Sequence, residues 1–205
     1  MRVLVLLLLL GCSEASVASD PTTAASAPEE GEAVAIFAGG CFWCMEGPFE
    51  KLKGVVSVES GYTGGPELGP TYHQVSMGKT SHLEAVRVVY HPKKVSYERL
   101  LRVFWHNIDP TQDNGQFCDK GPHYRSAVFV GSEAERSAAT KSRDAAQETL
   151  GRTVVTEIRE SGAFWLAEDY HQDFYKKNPT RYRSYRAGCG RDHRLQQLWG
   201  RSAGH

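Results

Sequence analysis

The stretch from Ala33 to Lys53, AVAIFAGGCFWCMEGPFEKLK, constrains this chain more than any other. A short apolar run, Val34 to Ala38, ends in Gly39-Gly40, and the next residue is Cys41, followed by Phe42-Trp43, a second cysteine and an amphipathic segment. This is the pattern of a strand that hands a thiol to a turn or a helix start. N–H groups at a helix start lack intrahelical partners and carry partial positive charge, so a sulfur placed there is favoured as thiolate. Cys41 is therefore the candidate nucleophile. Pro48 follows closely, so either the helix kinks or a first turn ends and a new helix starts with Pro48 at its first position.

Cys41 and Cys44 form a C-x-x-C, which is also half of a structural zinc site. The other half is missing, because Cys118 and Cys189 lie singly, with no second C-x-x-C and no paired histidines, so no metal is expected. A thioredoxin-like redox pair stays open, although Phe42-Trp43 is bulky where close cysteine packing would suit smaller residues.

The 205 residues suit one domain, and Lys+Arg and Asp+Glu are equal at 24 each, which gives no basic surface for nucleic acid. Met1-Arg2 followed by Val3 to Leu10 is a charged and then apolar leader, too short to span a bilayer as a helix. Its end, Leu9-Leu10-Gly11-Cys12, resembles a bacterial lipobox, so residues 1–12 read as a lipoprotein signal ending at lipidated Cys12. By resemblance to lipoproteins, Ser13 after the cysteine favours the outer membrane, with the protein facing the periplasm. Residues 13–32 are Ala, Ser, Thr, Pro and Glu with almost no large apolar residue, which reads as a flexible tether, and 33–205 as the folded domain.

Within that domain, Val55 to Gly61, Tyr72 to Met77, Glu84 to Tyr90, Ser126 to Val130 and Val154 to Ile158 read as strands. Ser96 caps a helix to about Asn107, and Ser132 with Glu135 forms a capping box for a helix to Leu150 closed by Gly151. Helices mixed with adjacent strands argue for a two-layer α+β domain. Beyond residue 160 the aromatic, loop-rich chain gives no clear element.

Strand parity singles out Glu84. An extended 84–90 puts it on one face with Val86, Val88 and Tyr90, where lost hydration favours the protonated acid, a proton donor at neutral pH. Asp119, His123 and Tyr124 read as solvated loop residues, Tyr62 and Tyr72 as packing residues, and His171 with its acidic neighbours as a solvated helix turn. Cys189, between Gly188 and Gly190, lies in a segment that reads as mobile, which suits a thiol that must travel.

Gly40-Cys41-Phe42-Trp43, then Gly61-Tyr62-Thr63-Gly64-Gly65, Pro70-Thr71-Tyr72, His82-Leu83-Glu84-Ala85-Val86, Phe104-Trp105, Asp109-Pro110-Thr111-Gln112 and Tyr124-Arg125-Ser126 resemble peptide methionine sulfoxide reductase of the A type. The resemblance covers about residues 34–180 in order. It implies reduction of methionine (S)-sulfoxide, free or in proteins, with no metal or bound organic cofactor, and an α+β fold related to the ferredoxin-like sandwich. On that resemblance Cys41 is the nucleophile that becomes a sulfenic acid, and Phe42 and Trp43 cage the substrate methyl. Glu84 protonates the sulfoxide oxygen, Tyr72 and Tyr124 hydrogen-bond it, and Asp119 lies at the pocket rim. An external thioredoxin-like thiol reductant recycles a monomeric enzyme through an intramolecular disulfide.

Three departures leave the recycling thiol open. Cys44 stands where many relatives have glycine, Cys118 precedes Asp119, and the sequence around Cys189 lacks a glycine-rich double-cysteine tail. Flexible neighbours, with Arg186 and Arg191 to favour its thiolate, make Cys189 the expected partner of Cys41, and Cys44 and Cys118 the alternatives. Competing readings are an exported C-x-x-C thiol-disulfide exchanger and a lipid-anchored binding protein with structural cysteines.

Overall fold

The computed structural model describes residues 22–204. In chain order the regular elements begin with β1 (Ala33–Gly39), α1 (Trp43–Glu50), β2 (Val55–Thr63), α2 (Tyr72–Ser76), β3 (Leu83–Tyr90) and α3 (Tyr97–Trp105). A two-residue hairpin of β4 (Gly115–Gln116) and β5 (Asp119–Lys120) precedes β6 (Ser126–Val130), α4 (Glu133–Leu150), β7 (Glu157–Glu160) and β8 (Phe164–Leu166). The C-terminal helices are α5 (Phe174–Lys177), α6 (Pro179–Gly188) and α7 (Arg191–Trp199).

Six strands make one sheet in the order β7-β6-β1-β3-β2-β8, antiparallel throughout except for the parallel β6–β7 pair. The mixed α+β class read from the sequence is the class observed. β3 is buried along its whole length, so its two sets of alternate residues enter two cores. Val86, Val88 and Tyr90 join Phe37, Phe49, Leu100 and Phe104 in the larger one under α1 and α3, while Leu83 and Ala85 face Ile36, Phe129 and Phe164.

Phe37 of β1 stacks on Phe49 and on Phe104, each at 5.1 Å between ring centroids, and so fastens α1 and α3 to the same strand. This packing decides what Pro48 does. Its missing N–H and the clash of its ring with the preceding turn cost ~3 kcal/mol in a helix interior, whereas burying Phe49 and Met45 completely contributes ~1.5–3 kcal/mol each. The helix therefore continues through Pro48 to Glu50.

Several elements differ from the expectation. The segment expected as a strand at Tyr72 to Met77 is helix α2, because Thr71 and Gln74 form a reciprocal capping box that apolar alternation does not register. The strand expected at Val154 to Ile158 begins only at Glu157, and Val155 instead donates its N–H to Pro110 O. Glu135 bonds Gly131 N rather than the cap residue, so Ser132 caps α4 alone.

The tether expected at residues 13–32 is held in place at its far end. Ala25 N donates to Phe164 O at 2.9 Å and Leu166 N to Thr23 O at 2.8 Å, so residues 23–25 pair with the outer edge of β8. Thr22 Oγ1 donates to Pro70 O, and Ser26 O accepts from the buried Arg87, which also pairs with Glu59 at 2.6 Å. Composition missed this because the segment docks mainly through its backbone, with only the small Ala25 side chain packed on the smaller core. The leader at 1–12, Cys12 included, lies outside the described residues.

Candidate active site

Cys41 stands in the turn between β1 and α1. Gly40 before it has φ +77°, and a Cβ there would sit 2.4 Å from the Gln116 side chain, so only glycine fits. Gln116 is itself fixed by Asp109, accepting its N–H and donating to its carbonyl. This lock makes the thiol's position a property of the sheet and the hairpin together.

The first free N–H of the turn does not serve the sulfur. Phe42 N donates instead to Glu84 Oε2 at 3.2 Å, reaching across from β3. Parity placed Glu84 on the core face, and it is 1 % exposed. Burial pushes its carboxyl up to about 8, the Phe42 N–H opposing, so it holds its proton at neutral pH. A resting thiolate at Cys41, expected from the helix start, is not what the structure holds. Burial raises the Cys41 thiol well above its usual value, and its hydrogen bond to Cys44 and the nearby Glu84 raise it further, against its contact with the Tyr185 hydroxyl.

Cys44 lies one helical turn on, its N–H on Cys41 O at 3.0 Å. The hydrogen bond from the Cys41 thiol brings Cys44 down to about 6, against burial, with Arg191 and Arg186 helping. Arg191 was expected to serve Cys189; its guanidinium is instead buried, donating to Gly39 O, Asn107 O and Met45 Sδ, over the Phe117 ring at 4.3 Å. None of those partners is a carboxylate, which leaves its charge to act on sulfur. Arg186 is held by Asp192.

Phe42 and Trp43 pack against the C-terminal segment, Trp43 also meeting the Tyr185 ring edge-on at 5.9 Å. Trp43 stacks on Phe174 at 3.6 Å and donates its indole N–H to His171 Nδ1 at 3.0 Å. His171 also packs on Phe42 at 5.0 Å and Tyr72 at 4.4 Å between centroids. The solvated turn expected around His171 is thus corrected: the ring is 1 % exposed inside an aromatic cluster, held neutral by burial. Glu168 from the same segment accepts Tyr62 OH and Tyr72 N, both at 2.8 Å, which draws α2 and β2 together.

Tyr72 and Tyr124 share a hydrogen bond, and burial together with the nearby Glu84 and Cys41 raises both phenols, so both remain proton donors. Asp119 is half-buried and accepts Tyr185 OH at 2.5 Å, and that hydroxyl also meets Cys41. Tyr185 and Phe174 went unread in the sequence, and Arg191 and Glu168 were read for other roles, since all four come from the region beyond residue 160 that showed no periodicity.

Cys189 is not the free, mobile thiol expected. It caps α6, Gly190 beside it takes φ +64° to turn the chain into α7, and its sulfur is bonded to Cys118. Cys41 and Cys44 are the free cysteines of the described residues.

A buried cysteine beside a protonated carboxyl, two phenols and an aromatic cage, with a second pair of cysteines joined as a disulfide, defines a thiol-dependent oxidoreductase. The sequence profile of peptide methionine sulfoxide reductase matches residues 33–203, and the chain belongs to that family. It is 53% identical over 167 residues to peptide methionine sulfoxide reductase MsrA 2 of Caulobacter vibrioides, covering 81% of this chain and 85% of that one. With MsrA of Bacillus subtilis it shares 45% over 173 residues, 83% and 98% of the two chains. Among solved structures it is similar to reduced Mxr1 of Saccharomyces cerevisiae, with TM-score 0.71 and 32% identity, covering 77% of this chain and 91% of that one.

Proposed function

We propose that the chain reduces methionine (S)-sulfoxide, free or in proteins, with Cys41 as nucleophile and Glu84 as acid. The observation that carries this is the pair itself: a buried Glu84 carboxyl, pushed up to about 8 by burial, that accepts the N–H of Phe42 at 3.2 Å, next in the chain to the buried Cys41 thiol. A sulfoxide sulfur is a weak electrophile until its oxygen gains a proton, so a neutral acid and a thiol must meet at one atom. Phe42 and Trp43 receive the methyl group, and Tyr72 and Tyr124 donate to the oxygen. As Cys41 attacks, its proton passes along the hydrogen bond to Cys44. Oxygen transfer leaves methionine and a Cys41 sulfenic acid, the sulfur losing two electrons to the substrate. Asp119 acts at the rim through Tyr185.

Electrons return from an external thioredoxin-like dithiol, with no bound metal or organic cofactor in the cycle. Yeast Mxr1, whose reduced form is 32% identical, has been solved in complex with Trx2, which supports a reductant of that class. The order β6-β1-β3-β2 with α1 and α3 as crossovers supports a core related to the ferredoxin-like sandwich. The leader supports a periplasm-facing lipid anchor at Cys12 in the outer membrane, ahead of residues 13–32 and the domain at 33–205.

The test is incubation of the domain with each epimer of methionine sulfoxide and dithiothreitol. Methionine from the S epimer alone is expected; none from either would end the proposal in favour of a thiol-disulfide exchanger.

A further inference from the structure

We propose that Cys118, Cys189 and Asp119 hold a zinc-type divalent cation whenever the Cys118–Cys189 disulfide is reduced, so that the chain carries a metal site which the disulfide closes. The site does not depend on which substrate Cys41 takes.

The three side chains already converge. Cys118 Sγ, Cys189 Sγ and a carboxylate oxygen of Asp119 lie within 4.8 Å of one another. Cys118 Sγ stands 3.7 Å from Asp119 Oδ1. A tetrahedral ion with Zn–S of about 2.3 Å and Zn–O of about 2.1 Å sets a sulfur and an oxygen ~3.6 Å apart and two sulfurs ~3.8 Å apart. The Cα atoms of the two cysteines are 4.9 Å apart, so side-chain rotation alone opens the sulfurs to that spacing once the bond is cut. No ligand spacing in the sequence announces the site, because Cys118 and Asp119 come from the β4–β5 hairpin and Cys189 follows α6, 71 residues beyond Cys118.

The donor set selects the ion. Two thiolates and one carboxylate suit Zn²⁺, whereas Mg²⁺ and Ca²⁺ take oxygen ligands. Asp119 turns Oδ1 toward Cys118 while its Oδ2 accepts the Tyr185 hydroxyl, an outer contact that fixes the carboxylate's orientation. Arg191, His123 and Lys120 lie within electrostatic reach of Asp119 and offset the negative charge left when three anionic ligands surround a dication. Cys118 is exposed and its two partners half-buried, which leaves an entry path and a fourth position for water.

The steps balance. An external dithiol gives two electrons and two protons to the S–S bond, forming two thiols and its own disulfide. Zn²⁺ then displaces both thiol protons, and no electron passes to the ion. Each sulfur serves either the S–S bond or the ion. A bound ion therefore bars reoxidation of the pair and ties the hairpin to the end of α6 as the disulfide did.

The test titrates the purified full chain, reduced with a phosphine and freed of it without oxygen, with Co²⁺ and then Zn²⁺. One Co²⁺ per chain should bind with a thiolate-to-cobalt charge-transfer band, Zn²⁺ should displace it, and the disulfide form should bind neither. Alkylation with peptide mapping should find Cys118 and Cys189 protected by Zn²⁺ at least about tenfold. Cys118→Ser and Cys189→Ser should each weaken Zn²⁺ at least about 100-fold, and Asp119→Asn at least about tenfold with the charge-transfer band kept. Equal alkylation of Cys118 with and without Zn²⁺ would overturn the proposal in the parent itself, whatever the variants do to folding. A Cys118→Ser/Cys189→Ser protein that still binds one Co²⁺ through thiolate would place the ion on Cys41 and Cys44 and overturn it too, as would parent affinity in Asp119→Asn.

Discussion

Replacing Glu84 by glutamine isolates the proton from everything else the residue does. The amide oxygen can still accept the Phe42 N–H that Glu84 Oε2 accepts, so the start of α1 keeps its contact. What is lost is an O–H acidic enough to transfer. A positioned acid is worth ~10²–10⁴-fold, or about 3–5 kcal/mol of barrier. The parent's single-turnover rate should rise as the Cys41/Cys44 pair loses its first proton near 6 and fall as Glu84 loses its own near 8. In Glu84→Gln the alkaline fall should vanish while the acid limb stays.

Stability should move the opposite way. A carboxyl at about 8 in the folded protein and ~4.3 when unfolded binds an extra proton only in the native state between those values. Stability is therefore full below ~4.3 and falls as pH rises toward 8, by roughly 3–4 kcal/mol at pH 7. Glu84→Gln, free of that loss, should unfold at a higher temperature than the parent at pH 7.5, the gap narrowing toward pH 5. Rapid-quench methionine formation and thermal unfolding across pH read the two effects. A variant within threefold of the parent, or one that keeps the alkaline limb, would refute the assignment.

Cys41→Ser should release no methionine in a single turnover with any reductant, and measurable release would remove Cys41 from the mechanism. His171→Ala deletes the partner of the Trp43 indole and should raise KM about tenfold, the cost of ~1.4 kcal/mol of positioning, with a smaller change in kcat; an unchanged KM would show that Phe174 alone holds the ring. Gly40→Ala, whose Cβ meets Gln116 at 2.4 Å in a left-handed turn, should lose at least about 2 kcal/mol in urea titration, and a parent-like midpoint would contradict the lock described for that turn. Cys12→Ala should free the protein from membranes with the activity of the domain unchanged, and retention in the membrane fraction would count against lipid anchoring.

Sequence reasoning succeeded where local pattern and tertiary packing agree. β1 is a continuous apolar run, α3 carries a clear helical periodicity, and the parity of β3 placed Glu84 on the core face from residue types alone. It failed where long-range polar contacts do the organising. Gln172 bonds Ser60 on both its N–H and its carbonyl, and Asp173 N reaches the buried Glu46. No window of neighbouring residues reveals such pairs, so the segment that supplies His171, Glu168 and Tyr185 gave no clear element and His171 read as a solvated turn. Cys189 misled for a related reason: its flanking glycines shape a corner between two helices rather than free a tail.

The bond between Cys118 and Cys189 spans 71 residues of chain. Closing a loop of that length restricts the unfolded ensemble by about 4 kcal/mol in the chain-entropy account, a large share of a domain's ~5–15 kcal/mol. If that same bond opens each time the reductant delivers electrons, durability and work alternate. The enzyme would be hardest to unfold or digest when starved of reductant, and most vulnerable to proteases while its thiols are fully charged.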